Sequence, residues 1–276
     1  MIKATVFNPI WRGEDIAWLA FESMCAQQYV NFNWELIIHE EVNEDNVFGF
    51  DNISAYTERL KEVGCSRIIY VRVPKKIPLV KKLQLAGNMA DPNSKIFIFQ
   101  SADCYSQPNR FKESYELLLH MYDYVSSYIG PVYNIYTDET FIYDFGRDRG
   151  VTGLNIAVQT KHVRSLPDTN LTCGIDGWFR DIAKSRYPKF KDGYNESINW
   201  KYGLDTHGLN KISTERFLTK KFLVHYNFDL TRQYKIDECI PKYIMDTLRE
   251  LKEYCEYGLE INKSLWIKKG YYNNDD

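Results

Sequence analysis

Residues 94–103 read SKIFIFQSAD, and this stretch decides the fold class. Its centre is continuously apolar, which is typical of a strand that is covered on both faces in a parallel sheet. Polar residues follow directly and end at Asp103. Because ligands of open α/β sheets bind beyond the carboxyl ends of the strands, the stretch predicts a central strand and one side of a binding site.

Strands and helices alternate on the amino-terminal side of this stretch. Gly64 follows the second predicted helix, in the position that is typical after a helix end. The alternation predicts an open, mainly parallel sheet flanked by helices. The predicted strands are residues 2–7, 34–39 and 67–73, and the predicted helices are residues 14–28, 52–63 and 77–90.

The later part of the chain is less regular. Residues 186–216 lack a clear period and are interpreted as loop. Residues 240–259 place their apolar side chains on one helical face. The other predicted elements are a helix at 111–122, two strands within 124–143 around a turn at 137–139, a strand at 154–158 and a helix at 177–185.

The composition is that of an ordinary soluble globular protein. The chain has 276 residues, of which 44% are hydrophobic and 26% are charged, enough for one sizeable α/β domain with or without a helical tail. The net charge of −2 argues against a general polyanion binder. Lysines cluster at 75–76, 81–82 and 220–221. Two interpretations of these clusters stay open, a solvated face and a local basic patch for nucleic acid.

The cysteines and the amino terminus bear on the compartment. Six cysteines are scattered without a CxxC pair, which argues against a zinc or redox motif and favours a reducing compartment. No signal peptide precedes the first predicted strand, and no apolar stretch is long enough to span a bilayer. We therefore expect a cytoplasmic protein without a transmembrane segment. No GxGxxG follows the first strand, which argues against a Rossmann dehydrogenase.

Polar residues gather at three predicted strand ends, at 8–11 (NPIW), 39–41 (HEE) and 100–103 (QSAD). A carboxylate such as Asp103, placed just beyond a strand, can hold Mn²⁺ or Mg²⁺ against a diphosphate. An aspartate that caps a turn is the alternative interpretation.

The order of these motifs resembles the family-two glycosyltransferases, which have the GT-A fold. The resemblance covers residues 1–215. Each motif alone is short, and the order and spacing of the motifs together make the resemblance specific. The matching stretches are NPIW at 8–11, QQYVNFNWELII at 27–38, SKIFIFQSAD at 94–103, PNRF at 108–111, GIDGWF at 174–179 and the segment 203–213.

The resemblance implies a division of the chain. A Rossmann-like GT-A domain would occupy residues 1–225, with a nucleotide-binding half at 1–110 and an acceptor-binding half at 111–225. Residues 226–276 would then form a C-terminal helical extension.

The resemblance also implies an activity, the metal-assisted transfer of a sugar from a nucleotide-sugar donor, usually UDP-linked, to an acceptor hydroxyl with inversion. Asp176 is the implied general base, with Asp181 as the fallback. A helix N-cap is the alternative role of Asp176. Asp103 and His207 are the implied ligands of Mn²⁺ or Mg²⁺, and Asp205 is a rival to His207.

The donor site that the resemblance implies spans all three strand ends. Glu40 or Glu41 would face a ring nitrogen of the base, and Lys82 or its neighbour Lys81 would approach the diphosphate. A surface acid, a solvated lysine and, for Trp11, a place in the core are the alternatives. The implied donor-binding residues are Pro9, Ile10, Trp11, Glu40, Glu41, Lys82, Ser101, Ala102 and Asp103.

One departure from the family pattern leads to a second hypothesis. Ser101 stands where the family has the first aspartate of a pair, so a catalytically decayed binding protein of the same fold is the alternative function. The acceptor stays open between a glycan and a hydroxymethylated DNA base, whose use would require access to the base. Trp178 follows the segment of Asp176 and would stack on a ring of the acceptor.

Overall fold

The structure is a computed structural model. It describes residues 1–10, 17–41, 48–73, 77–102, 104–106, 108–120, 122–125, 129–134, 139–144, 156–169, 178–179, 204–205, 242–244 and 246–247. Within these ranges, every helix is too short or too polar to cross a membrane.

Ten strands and six helices make up the described fold. The strands are β1 (Ile2–Ile10), β2 (Asn33–Glu41), β3 (Cys65–Val73), β4 (Ile96–Phe99), β5 (Cys104–Tyr105), β6 (Tyr124–Val125), β7 (Ile129–Asn134), β8 (Glu139–Asp144), β9 (Ala157–Gln159) and β10 (Leu204–Asp205). The helices are α1 (Trp18–Cys25), α2 (Gly49–Ala55), α3 (Thr57–Glu62), α4 (Leu79–Met89), α5 (Arg110–His120) and α6 (Thr160–Arg164).

Six strands form the main sheet in the order β3-β2-β1-β4-β9-β6. The first four are parallel to one another. Strand β9 runs antiparallel to both of its neighbours, β4 and β6. The prediction of a mixed, mainly parallel sheet flanked by helices is therefore confirmed.

Each face of the main sheet is covered by its own layer of helices. Val6 and Leu36 lie on one face, in a core that includes buried side chains of α1, α2, α3 and α5. Phe7 and Ile37, their neighbours in sequence, lie on the other face, against α4 and α6. Alternate residues of a strand point to opposite faces, so two covered faces require the continuous apolar runs seen in β1, β2 and β4.

A buried carboxylate ties the amino-terminal part of this sheet together. Glu35 has no exposed surface. It accepts hydrogen bonds from the Thr5 hydroxyl at 2.7 Å, from the backbone N–H of Asp91 at 2.7 Å and from the guanidinium of Arg67. Because both carboxylate oxygens have donors, the buried charge is compensated.

Helices α4 and α6 approach closely at Gly87. A Cβ atom at this position would lie 2.9 Å from Cγ1 of Val163. Arg164 donates to the carbonyl oxygens of Gly87 at 3.1 Å, Ala90 at 3.3 Å and Asp91 at 3.0 Å. Basic side chains near a helix end satisfy carbonyls that have no partner within the helix, so α6 closes the end of α4.

A second sheet has the strand order β5-β10-β7-β8. Strands β7 and β8 form an antiparallel pair, which confirms the two strands predicted within 124–143. The interpretation of 186–216 as loop is wrong at residues 204–205, because β10 pairs there with β5 and β7. Two residues are too few to produce a period in the sequence.

The helix predictions hold with two differences. The helix predicted at 52–63 begins at Gly49 and is divided at Tyr56 into α2 and α3. Gly64 has a φ of 94°, as its place after a helix predicts. The five-residue helix α6 was not predicted, since it is shorter than two helical turns.

Several predicted elements lie largely outside the described residues. Of the helix predicted at 177–185, residues 178–179 are described and are helical. Of the helix predicted at 240–259, residues 242–244 and 246–247 are described, and these too are helical. The boundaries at 110, 225 and 226 stay predictions.

Candidate functional site

The carboxyl ends of the parallel strands meet at one edge of the main sheet. Pro9 lies opposite His39, Ile10 lies opposite Glu40 and Phe7 lies opposite Phe99 in the strand register. The described members of the predicted donor site therefore share one edge, where open α/β sheets bind ligands. These members are Pro9, Ile10, Glu40, Glu41, Lys82, Ser101 and Ala102.

The turn that follows β4 is held by the side chain of Gln100. Its Oε1 accepts from Ser106 Oγ at 2.6 Å and from Arg110 Nη1 at 2.7 Å, while its Nε2 donates to the carbonyl of Cys104 at 2.8 Å. Arg110 also donates to the carbonyl of Phe99. Ser101 and Ala102 lie inside the span that these bonds close, so the chain leading to Asp103 has a fixed path.

Arg110 places a cation beneath this turn. The side chain is buried, and burial lowers the pKa of Arg110 to about 9. The guanidinium therefore stays charged at neutral pH. Sequence analysis missed this residue, because an arginine at the start of a helix gives no sign of burial.

Asn8 joins the ends of β1 and β4. Its Nδ2 donates to the carbonyl of Gln100 at 2.8 Å. Its Oδ1 is buried and has no hydrogen-bond partner among the described residues. Buried polar atoms are almost always paired, so this oxygen is an acceptor available to a ligand or a water molecule.

Glu40 is engaged with the protein itself. Its carboxylate accepts from the backbone N–H of Phe48 at 2.5 Å, from that of Gly49 at 3.1 Å and from the Tyr70 hydroxyl at 2.5 Å. Acidic groups at the start of a helix satisfy N–H groups that have no partner within the helix. Glu40 thus holds the start of α2 on the face of the sheet that α1 also covers.

The Glu41 side chain points to the opposite face of the sheet, and only one of its two carboxylate oxygens has partners among the described residues. Oε1 accepts from the Lys82 ammonium at 2.6 Å and from the backbone N–H of Ile77 at 3.1 Å. Oε2 is buried and has no partner among the described residues. The Glu41 and Lys82 side chains are 3% and 7% exposed, so this pair is shielded from solvent. Of the two adjacent acids, Glu41 is the one with an acceptor free for a ligand.

His39 lies beside this pair and was not singled out from the sequence. It is fully buried, and neither ring nitrogen has a hydrogen-bond partner among the described residues. The ring meets that of Phe7 edge to face, with centroids 5.2 Å apart. Burial, together with the positive charge of Lys82, lowers the pKa of His39 to about 4. The imidazole is therefore neutral at physiological pH.

The described lysines of the 81–82 cluster have acidic neighbours. Lys81 forms an ion pair with Asp168, and Lys82 forms one with Glu41. These contacts do not favour a local basic patch for nucleic acid at this cluster. The lysines at 75–76 and 220–221 lie outside the described residues.

Trp178 is half buried against the core on the α4 face. Its ring lies 5.3 Å from that of Phe179 at an angle of 73°. This packing favours a structural role over the predicted stacking on an acceptor.

Strand β10 brings a late part of the chain to the turn of Asp103. Asp205 lies opposite Cys104 in an antiparallel pair, and Cys104 directly follows Asp103 in sequence. Cys104, the neighbour in sequence of the predicted ligand Asp103, and Asp205, itself a predicted ligand, are therefore neighbours in space. Trp11, Asp103, Asp176, Asp181 and His207 themselves lie outside the described residues.

No family model and no curated protein sequence matches the chain. Solved structures do resemble it. TarS 1–349 of S. aureus in complex with UDP-GlcNAc is 12% identical with a TM-score of 0.48, and the match covers 99% of this chain and 93% of that one. The glycosyltransferase GlyE of Streptococcus pneumoniae TIGR4 is 12% identical with a TM-score of 0.42, over 100% of this chain and 66% of that one. HddC of Yersinia pseudotuberculosis is 11% identical with a TM-score of 0.40, and the match covers 69% of this chain and 87% of that one.

Proposed function

We propose that this chain is a glycosyltransferase that moves a sugar from a nucleotide-sugar donor to an acceptor hydroxyl. The observation that carries the proposal is the pairing of Asp205 with Cys104, at the carboxyl edge of the parallel sheet. It supports a shared diphosphate and metal site, because Cys104 directly follows Asp103 in sequence and Asp205 lies two positions before His207.

The nucleobase would bind beside Glu41. A buried carboxylate oxygen without a partner is a strong acceptor for a ring N–H, such as the one that uracil offers. This supports a UDP-linked donor and Glu41 over Glu40, whose oxygens receive three donors from the protein. Lys82 adds a positive charge next to Glu41, and we propose that this charge compensates that of the diphosphate.

Asp103, with His207 or Asp205, would hold Mn²⁺ or Mg²⁺. Carboxylate oxygens and an imidazole are ligands that such ions accept, and the β5–β10 pairing supports their proximity. When bound, the ion supplies compensation for the charge that develops on the leaving diphosphate.

Asp176 would accept the proton of the attacking hydroxyl, which gives single displacement with inversion at the anomeric carbon. Asp181 is the fallback for this role. We propose a glycan as the acceptor, because the ion pairs of Lys81 and Lys82 weaken the argument for DNA.

A titration with UDP in the presence of Mn²⁺, followed by a screen of nucleotide sugars for turnover, tests the proposal. Glu41→Gln should weaken UDP binding by roughly tenfold to a hundredfold, since it replaces a charged hydrogen bond worth about 1.5–3 kcal/mol. Glu58→Gln, which alters an acid that is 81% exposed, is the matched control and should bind normally.

Two further variants separate binding from chemistry. Asp103→Ala should abolish the Mn²⁺ dependence of UDP binding, and Asp176→Asn should retain binding while turnover is lost. Binding of UDP by the unaltered chain without turnover of any donor would instead favour a decayed binding protein, as Ser101 suggests. Failure to bind any nucleotide with Mn²⁺ would refute both functions.

A further inference from the structure

A short C-terminal segment docks on the first half of the chain. Residues 242–244 and 246–247 are helical. The Tyr243 hydroxyl donates to Glu22 Oε2 at 2.8 Å, across 221 positions of sequence. Ile244, the next residue, is fully buried. A polar contact and a buried side chain side by side indicate specific docking.

The receptor for Tyr243 is a rigid, charged group on α1. Glu22 is held by Arg59 through two hydrogen bonds, of 2.8 and 2.7 Å. Two parallel bonds between a guanidinium and a carboxylate fix geometry as well as adding energy. The Arg59 guanidinium also lies 5.5 Å from the centre of the Tyr56 ring. Glu22 therefore presents its oxygens in one orientation, which Tyr243 matches.

Helix α1 and the residues directly after it also contact the segment that follows Asp103. Gln27 Oε1 accepts from the backbone N–H of Phe111 at 3.0 Å, and the Gln28 N–H donates to the carbonyl of Pro108 at 2.7 Å. Strand β5, at 104–105, packs against the same helix, and its Tyr105 is buried. Helix α1 thus contacts the C-terminal segment through Glu22 and strand β5 through its packing, and the two residues Gln27 and Gln28 after the helix bind Phe111 and Pro108.

We propose that residues 242–247 form a C-terminal clamp, which positions the turn of Asp103 through α1. Tyr243 is the positioning residue of this clamp, and it acts through Glu22. The clamp rests on the proposed function in one respect, because the turn that it positions is the one assigned to the donor diphosphate. Without the clamp, α1 and residues 104–111 open more often and the donor site is less well ordered.

Tyr243→Phe tests the clamp, since it removes only the hydroxyl and keeps the ring. Glu58→Gln is the control, because this residue lies outside the clamp and its side chain is 81% exposed. Amide hydrogen exchange is measured on the full chain without nucleotide. We expect several-fold faster exchange in α1 and at 104–111 in Tyr243→Phe, with α4 unchanged and with Glu58→Gln like the unaltered chain.

The binding of UDP with Mn²⁺ gives the second measurement. We expect Tyr243→Phe to weaken it by roughly three- to tenfold, which is less than the direct loss of a hydrogen bond to a charged group, because Tyr243 acts on the site only through Glu22. We also expect it to raise the donor KM more than it lowers kcat. Unchanged exchange in α1 and at 104–111 would overturn the clamp, whatever happens to UDP. Exchange that rises equally in α4 would overturn it too, because general destabilisation would then explain the effect. Faster local exchange in a chain that binds no UDP would support the clamp and refute the proposed function.

Discussion

The buried His39 should make the protein sensitive to mild acid, and His39→Leu should remove that sensitivity. The unfolded chain takes up a proton on this imidazole below its ordinary pKa of 6.5, whereas the folded chain resists protonation down to about 4. Between these values the unfolded state binds more protons, so the free energy of unfolding falls as the pH falls. Above 6.5 the ring is neutral in both states and contributes no pH dependence.

The size of the effect follows from the two pKa values. Each pKa unit corresponds to about 1.4 kcal/mol, so the full loss is about 3 kcal/mol, of which about 2.5 kcal/mol is reached near pH 4.5. Leucine has about the volume of histidine and buries no polar atom, so the variant should fold without a large penalty near pH 7.5.

Urea unfolding at about pH 7.5, 6.5, 5.5 and 4.5 measures this difference. The pH dependence of the other groups is common to both proteins and cancels in the comparison. The unaltered chain should lose about 2.5 kcal/mol more than His39→Leu between the two extremes. Equal losses would show that His39 titrates normally, and the burial of an unpaired imidazole at the end of β2 would then be refuted.

Three further predictions concern packing and charge. Glu35→Gln should lower the free energy of unfolding by about 1.5–3 kcal/mol, because it removes the charge from a buried set of hydrogen bonds and leaves Arg67, whose side chain is 40% exposed, facing a neutral partner. Gly64→Ala should cost about 1–3 kcal/mol, since φ is 94° and the new Cβ would lie 3.0 Å from a backbone carbonyl oxygen. Gly87→Ala should cost about 1–3 kcal/mol through its contact with Val163, and Val163→Ala should relieve part of that cost in the double variant.

Denaturant unfolding near neutral pH serves for all three. Glu58→Gln changes an exposed acid and should stay within about 0.5 kcal/mol of the unaltered chain, which gives the baseline for Glu35→Gln. A Gly64→Ala variant as stable as the original would contradict the left-handed backbone at this position. Strict additivity of the Gly87 and Val163 changes would contradict close contact between α4 and α6.

The central sheet was predictable because its inner strands β1, β2 and β4 are covered on both faces and have apolar centres. Together with the partly exposed β3 they alternate with helical segments, and this pattern has few other solutions. The antiparallel direction of β9 was not predictable, since Ala157–Gln159 carry no directional information. Its place depends on hydrogen bonds to β4 and β6, which lie far away in sequence.

In the candidate site, too, part of the arrangement was predictable from the sequence and part depends on contacts between distant residues. The sequence placed Glu40 and Glu41 correctly at the carboxyl end of β2, and the two-residue period of a strand already implies that adjacent acids face opposite ways. The sequence does not tell which face is open to a ligand. That depends on Phe48, Gly49 and Tyr70, whose donors engage Glu40 and leave an oxygen of Glu41 unpaired.

The insertion of β9 between β4 and β6 sets an order of events during synthesis. When the ribosome has released residues 1–100, strands β1 to β4 can already pair, yet the outer backbone groups of β4 meet their partner only after residue 159 has emerged. An apolar strand edge is a template for wrong pairing with other chains. The outer edge of β4 therefore stays unpaired while some sixty further residues are synthesised, which takes about 3–12 s at roughly 5–20 residues per second. A chaperone would protect the nascent protein most during that interval.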